Sequence, residues 1–103
     1  MTGEDLHQLI LGKWGYSFDV QLRKVQGKIF FQVMWKYLEQ ASFPMSEAEY
    51  IQHLDEIATY LTALGGSEQV QHYIDTTADK PRLGKAVSIP IDLGDRASEW
   101  ILE

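Results

Sequence analysis

The stretch from residue 16 to residue 38, YSFDVQLRKVQGKIFFQVMWKYL, leaves a chain of this kind few choices of fold. Tyr16, Phe18, Val20 and Leu22 alternate with Ser17, Asp19, Gln21 and Arg23, the period of two of a half-buried strand. Ile29, Phe31, Val33, Trp35 and Tyr37 repeat the pattern beyond Gln26-Gly27, so the stretch predicts one β-hairpin with an apolar face. A loop centred on Gln26-Gly27 sets Leu22 opposite Phe31, Val20 opposite Val33, Phe18 opposite Trp35 and Tyr16 opposite Tyr37. A register slipped by one would carry Gln32 and Lys36 onto the apolar face, at a desolvation cost. Phe30 and Met34 fall on the second, mostly polar face. In a small domain a terminal helix is expected to cover them; the alternative is an exposed patch for a partner.

The remaining residues supply helices and one more strand. Residues 3–12 predict a short helix started by Thr2 or Gly3, with Glu4 and Asp5 in its first turn and Leu6, Leu9 and Ile10 on one face. Gly12 and Gly15 end it, and Trp14 after Lys13 rules out a phosphate-binding Walker loop. Ser46-Glu47-Ala48-Glu49 is a capping box, with Met45 and Tyr50 placed as a hydrophobic staple. It opens a helix that runs to about Leu64 on the stripe Tyr50, Leu54, Ile57, Leu61 and Leu64, and Gly65 suits a left-handed cap. Ser67 is read as the cap of a third helix over residues 68–77, with Val70, Tyr73 and Ile74 inward. Asp79 to Lys85 is a loop by its Pro81 and Gly84. Residues 86–91 predict a third strand, and Pro90, which has no N–H for a ladder bond, assigns it to a sheet edge. Residues 92–103 close the chain with a helical turn capped by Asp95 and anchored by Trp100 and Ile101. The expected fold is therefore α+β in two layers: a small, mostly antiparallel three-stranded sheet with helices on one face, in the order α-β-β-α-α-β-α.

At 103 residues the chain suffices for one domain with a modest core. It has no cysteine, which excludes disulfides, thiolate metal sites and cysteine nucleophiles. The start, MTGEDLHQLILG, has no basic n-region and too short an apolar run for a secretory signal or a membrane span. The expectation is a cytoplasmic protein without membrane insertion. The net charge of −6 is uneven: residues 41–79 hold seven acids (Glu47, Glu49, Asp55, Glu56, Glu68, Asp75 and Asp79) and no Lys or Arg. Nucleic-acid binding needs a concentrated basic footprint, so no nucleic acid is expected. The acidic middle reads as a solvated helix surface, and it also permits a basic protein partner.

Three segments, TGEDLHQLILGKWGYSFDVQL, GKIFFQVMWKYLEQASFP and PRLGKAVSIPIDLGDRASEW, resemble a small uncharacterised family of cyanobacteria and plant plastids. That family is the three-thousand-and-sixty-seventh domain of unknown function. The resemblance covers nearly the whole chain and implies a source in an oxygenic phototroph. It also implies a soluble protein in a cyanobacterial cytoplasm or a stroma-like compartment. It brings no activity, ligand or catalytic residue to transfer.

The residues themselves offer three candidate constellations. Glu49, His53 and Glu56 lie at i, i+4 and i+7 of the capped helix, where imidazole and carboxylate suit zinc or manganese. No fourth ligand is identifiable, and the same spacing serves equally as a polar helix flank; Glu68 and His72 repeat it in weaker form. His7 is read as a surface residue. The loop Lys80-Pro81-Arg82-Leu83-Gly84-Lys85 presents three cations around a proline and a glycine, fit for an anion or an acidic partner. Its plain reading is a tight turn with solvated cations. The third candidate is the Phe30 and Met34 face. No serine has the glycines of a nucleophile elbow, and the carboxylate pairs lie on helix surfaces, so no catalytic set is assigned. The favoured expectation is a non-catalytic interaction or assembly module, monomeric or weakly dimeric, without a cofactor. It would bind a protein partner through Lys80, Arg82, Gly84 and Lys85 or through Phe30 and Met34. The alternatives are a small-ligand or metal-binding protein, or an enzyme with no recognisable motif.

Overall fold

In a computed structural model, which describes residues 1–94, the order of elements is α-β-β-α-α-β. The expected closing turn, with Asp95, Trp100 and Ile101, lies outside the described residues. The first helix, α1, spans Gly3–Trp14. Thr2 caps it through a reciprocal box with Asp5, and Gly15 closes it at φ 81° in the left-handed conformation. The helix thus passes through Gly12 and stops two residues later than expected. The hairpin strands are β1, Phe18–Val25, and β2, Lys28–Tyr37. The two-residue loop Gln26-Gly27 has positive φ at both positions, 52° and 78°, as a tight hairpin turn requires.

Helix α2 spans Glu47–Leu64 with the expected box between Ser46 and Glu49 and a left-handed Gly65 cap. Its whole stripe, Tyr50, Leu54, Ile57, Leu61 and Leu64, is buried, together with Ala58. Each large side chain there contributes roughly 1.5–3 kcal/mol by leaving water. Helix α3 spans Ser67–Thr76 with Gly66 at its N-cap. Ser67 is thus the first helical residue and not the cap; its hydroxyl lies 3.3 Å from that of Thr62. Strand β3, Val87–Ile91, buries Val87, Ile89 and Ile91 and exposes Ser88 and Pro90.

The sheet is antiparallel in the order β1-β2-β3, so Pro90 sits on an edge strand, as its missing N–H demands. Leu22 faces Phe31 and Val20 faces Val33, as the loop position dictates. Beyond Val20 the register shifts at a β-bulge, and Phe18 pairs with Tyr37, not with Trp35. This corrects the expected outer half of the hairpin. Trp35 is only partly buried and stands outside the core, whereas Tyr37 packs against it. Tyr16 precedes the strand, yet its ring still meets that of Tyr37, with centroids 4.8 Å apart.

All three helices meet one sheet face. Leu6 and Ile10 of α1 and Val70 and Ile74 of α3 join the α2 stripe, Val20, Phe31, Val33 and the three β3 residues in a single core. Helix α1 docks on α2 through Gly3, whose N–H donates to Asp55 Oδ1 at 2.7 Å. On the other face Gln21, Gln32 and Ser88 form a hydrogen-bonded row across the three strands, at 2.6 and 2.9 Å. No described helix covers that face.

Candidate functional site

The basic loop is tied down at its base and exposed at its tip. Pro81 is buried at its base, and the Trp14 indole N–H donates to the Asp79 carbonyl at 3.1 Å, tying the loop to the end of α1. At the tip, Arg82 and Lys85 bond through both backbone pairs, at 3.0 and 2.7 Å. Gly84, at φ 79°, takes the left-handed position of the two-residue turn between them. Leu83 is thereby held at the apex with 90% of its surface exposed. Lys80, Arg82 and Lys85 are exposed around it, and none forms an ion pair with a described residue. Sequence reasoning singled out the cations and the glycine of this turn and passed over Leu83. The signal was present: a large apolar residue next to the glycine of a tight turn has no core to enter.

The outer edge of β1 is the second arrangement. A two-residue hairpin loop makes Val25 and Lys28 a hydrogen-bonded pair, so the backbone groups of Val20, Leu22 and Lys24 point away from β2. Helix α2 runs beside this edge and caps it. The Tyr50 hydroxyl donates to the Phe18 carbonyl at 2.7 Å. His53 Nε2 lies 2.7 Å from the Val20 carbonyl, which can only accept, so that nitrogen carries the proton. The Val20 N–H donates to Asp19 Oδ1 at 2.9 Å, and the same oxygen lies 3.5 Å from His53 Nε2. Burial raises the Asp19 pKa above its ordinary value, against the lowering effect of the Val20 N–H and of His53 and Lys36. Burial, with the charges of Asp19 and Glu39, likewise keeps the Tyr50 hydroxyl protonated well beyond the usual phenol range.

The metal-binding candidate is spread among other tasks. Glu49 accepts from the Ser46 N–H at 2.8 Å as part of the helix cap, and His53 Nε2 serves Val20. Glu56 is exposed. Among the described residues no group of three or more His, Cys, Asp or Glu is placed to hold a metal ion. Phe30 stands between Arg23 and Pro90 on the sheet face that no described helix covers, and both Phe30 and Met34 are half-buried there, outside the core. His7 is not a free surface residue: its Nε2 lies 2.9 Å from Ser17 Oγ, and its ring meets Tyr50 edge-on. That serine is only 3% exposed, and the half-buried His7 ring joins it to the Tyr50 packing. No sequence pattern announced it, because the two residues meet across a tertiary contact.

Among the described residues no helix is long and apolar enough to cross a membrane. No curated protein matches the chain. A solution NMR structure of the Alr2454 protein from Nostoc sp. strain PCC 7120 is 69% identical, with a TM-score of 0.90, covering 100% of this chain and 99% of that one. The expected resemblance is shown directly by a family model that matches residues 4–101: the chain belongs to the family described as a domain of unknown function, DUF3067.

Proposed function

We propose that this protein is a non-catalytic interaction module of an oxygenic phototroph, acting in the cytoplasm. Its partner is a protein whose acidic surface surrounds an apolar pocket. The observation that carries this reading is Leu83, 90% exposed at the apex of a locked turn and ringed by Lys80, Arg82 and Lys85. An exposed leucine on a fixed turn costs little ordering on binding, and its burial contributes about 1.5–3 kcal/mol, a tenfold or greater gain in affinity. The cations supply attraction at a distance and select against basic surfaces. The chain's own acidic helices do not satisfy them among the described residues.

The test is affinity capture from a cyanobacterial lysate, followed by titration of the purified partner. Wild type is run beside Leu83→Ser and beside the triple variant Lys80→Glu, Arg82→Glu, Lys85→Glu, each checked to be folded. The expected partner is acidic and is lost to the triple variant. Its affinity drops about tenfold with Leu83→Ser and falls as salt rises. A partner that both variants keep would sink this assignment of the surface.

A further inference from the structure

Helix α2 caps the outer edge of β1 only as far as its side chains can donate. Tyr50 takes the Phe18 carbonyl and His53 takes the Val20 carbonyl. The next outward residue is Leu22, and the next residues of α2 on that side, Ile57 and Tyr60, offer an apolar wall instead. Among the described residues nothing takes the outward N–H and C=O of Leu22. Beside them opens a cleft of about 370 Å³ lined by Gln21, Leu22, His53, Ile57 and Tyr60, the last 57% exposed. An edge-strand residue with free backbone groups next to a side-chain cleft is an arrangement by which sheets accept an added strand: backbone bonds give affinity and the cleft selects a side chain.

Charge decides what kind of strand fits. Beyond Asp19, whose carboxylate accepts from the Val20 N–H, strand β1 carries only cations, Arg23 and Lys24. Side chains alternate along β1, so Leu22 belongs to the face toward α2, and Arg23 to the uncovered face. A strand added here would present every second side chain to the cleft and the others to Arg23.

We propose that the open edge at Leu22, with the Ile57–Tyr60 cleft, binds a short extended peptide of a partner protein in which apolar and acidic residues alternate. This site is separate from the Lys80–Lys85 turn, so either can fail without the other.

The probe is a synthetic hexapeptide alternating Val or Leu with Glu, titrated into isotopically labelled full-length protein and followed by amide chemical shifts. Two further peptides carry N-methyl groups, one on each of the two alternating sets of amides. The expected result is saturable shifts at Gln21, Leu22, Arg23, Ile57 and Tyr60, with binding abolished by one N-methylated peptide and kept by the other. Arg23→Glu should weaken the peptide about tenfold while leaving the fold intact, and a peptide with Lys in place of Glu should then recover affinity. No saturable shift at these residues, or equal binding of both N-methylated peptides, would overturn strand addition. Shifts of the same amides that depend on protein concentration alone, with a doubled mass, would assign the edge to a second copy and overturn the peptide.

Discussion

Gly3 and Gly12 lie nine positions apart in one helix and respond to a methyl group in opposite ways. A Cβ on Gly3 would fall 2.6 Å from the Asp55 backbone nitrogen and 2.8 Å from its Cα, where neither atom can swing away. Gly3→Ala should therefore cost about 1–3 kcal/mol in denaturant unfolding as α1 is pushed off α2. Around Gly12 nothing lies within 4 Å, so Gly12→Ala should add about 0.5–1 kcal/mol by helix propensity alone. Asp19 gives a pH prediction. Its pKa is raised in the folded protein above the ordinary 3.8, so the charged form destabilises the fold. Its contribution is favourable below the unfolded pKa and is lost as pH rises through the folded value. Asp19→Asn keeps an acceptor for the Val20 N–H without the charge, and should raise stability at neutral pH by up to about 1 kcal/mol. The gain should vanish near pH 3, where aspartic acid is itself neutral; a gain that persisted there would exclude desolvation as its cause.

The elements were legible where local chemistry determines them. Ser46 and Glu49 announce α2, Gly65 ends it, and Pro90 puts β3 at an edge, because caps and missing donors act within a few residues. The near half of the hairpin followed from its loop. The far half did not, because the register shifts between Val20 and Phe18, whose carbonyls are held by His53 and Tyr50, more than thirty residues away in sequence. The consequence can be measured. Phe31 is fully buried at the centre of the core, and Phe31→Ala should cost about 3–5 kcal/mol. Had Trp35 faced Phe18, Trp35→Ala would cost as much. With Trp35 outside the core, its loss should be less than half that of Phe31 in the same denaturation series. Equal losses would restore the unbulged register.

At the scale of the molecule, one sheet face is committed to helices, and the described residues leave surfaces open at the β1 edge, on the opposite sheet face and at the basic turn. Sequence reasoning found the turn by composition, since cations, proline and glycine sit together in the chain. The β1 edge was invisible to it: knowing that Val20 is capped and Leu22 is not requires seeing where His53 reaches. Amide hydrogen exchange reads this division directly. Strand β2 is paired on both sides, so the amides of Phe31 and Val33 should exchange only through global unfolding, among the slowest in the protein. The Val20 amide, bonded to Asp19 and flanked by α2, should be intermediate. The Leu22 amide points outward with no acceptor among the described residues, and should exchange orders of magnitude faster than Phe31 directly opposite it. Fast exchange at Leu22 marks an edge that a strand can still join. Protection equal to that of Phe31 in the free protein would mean that the edge is already occupied, and would leave the basic turn as the surface on which recognition must be built.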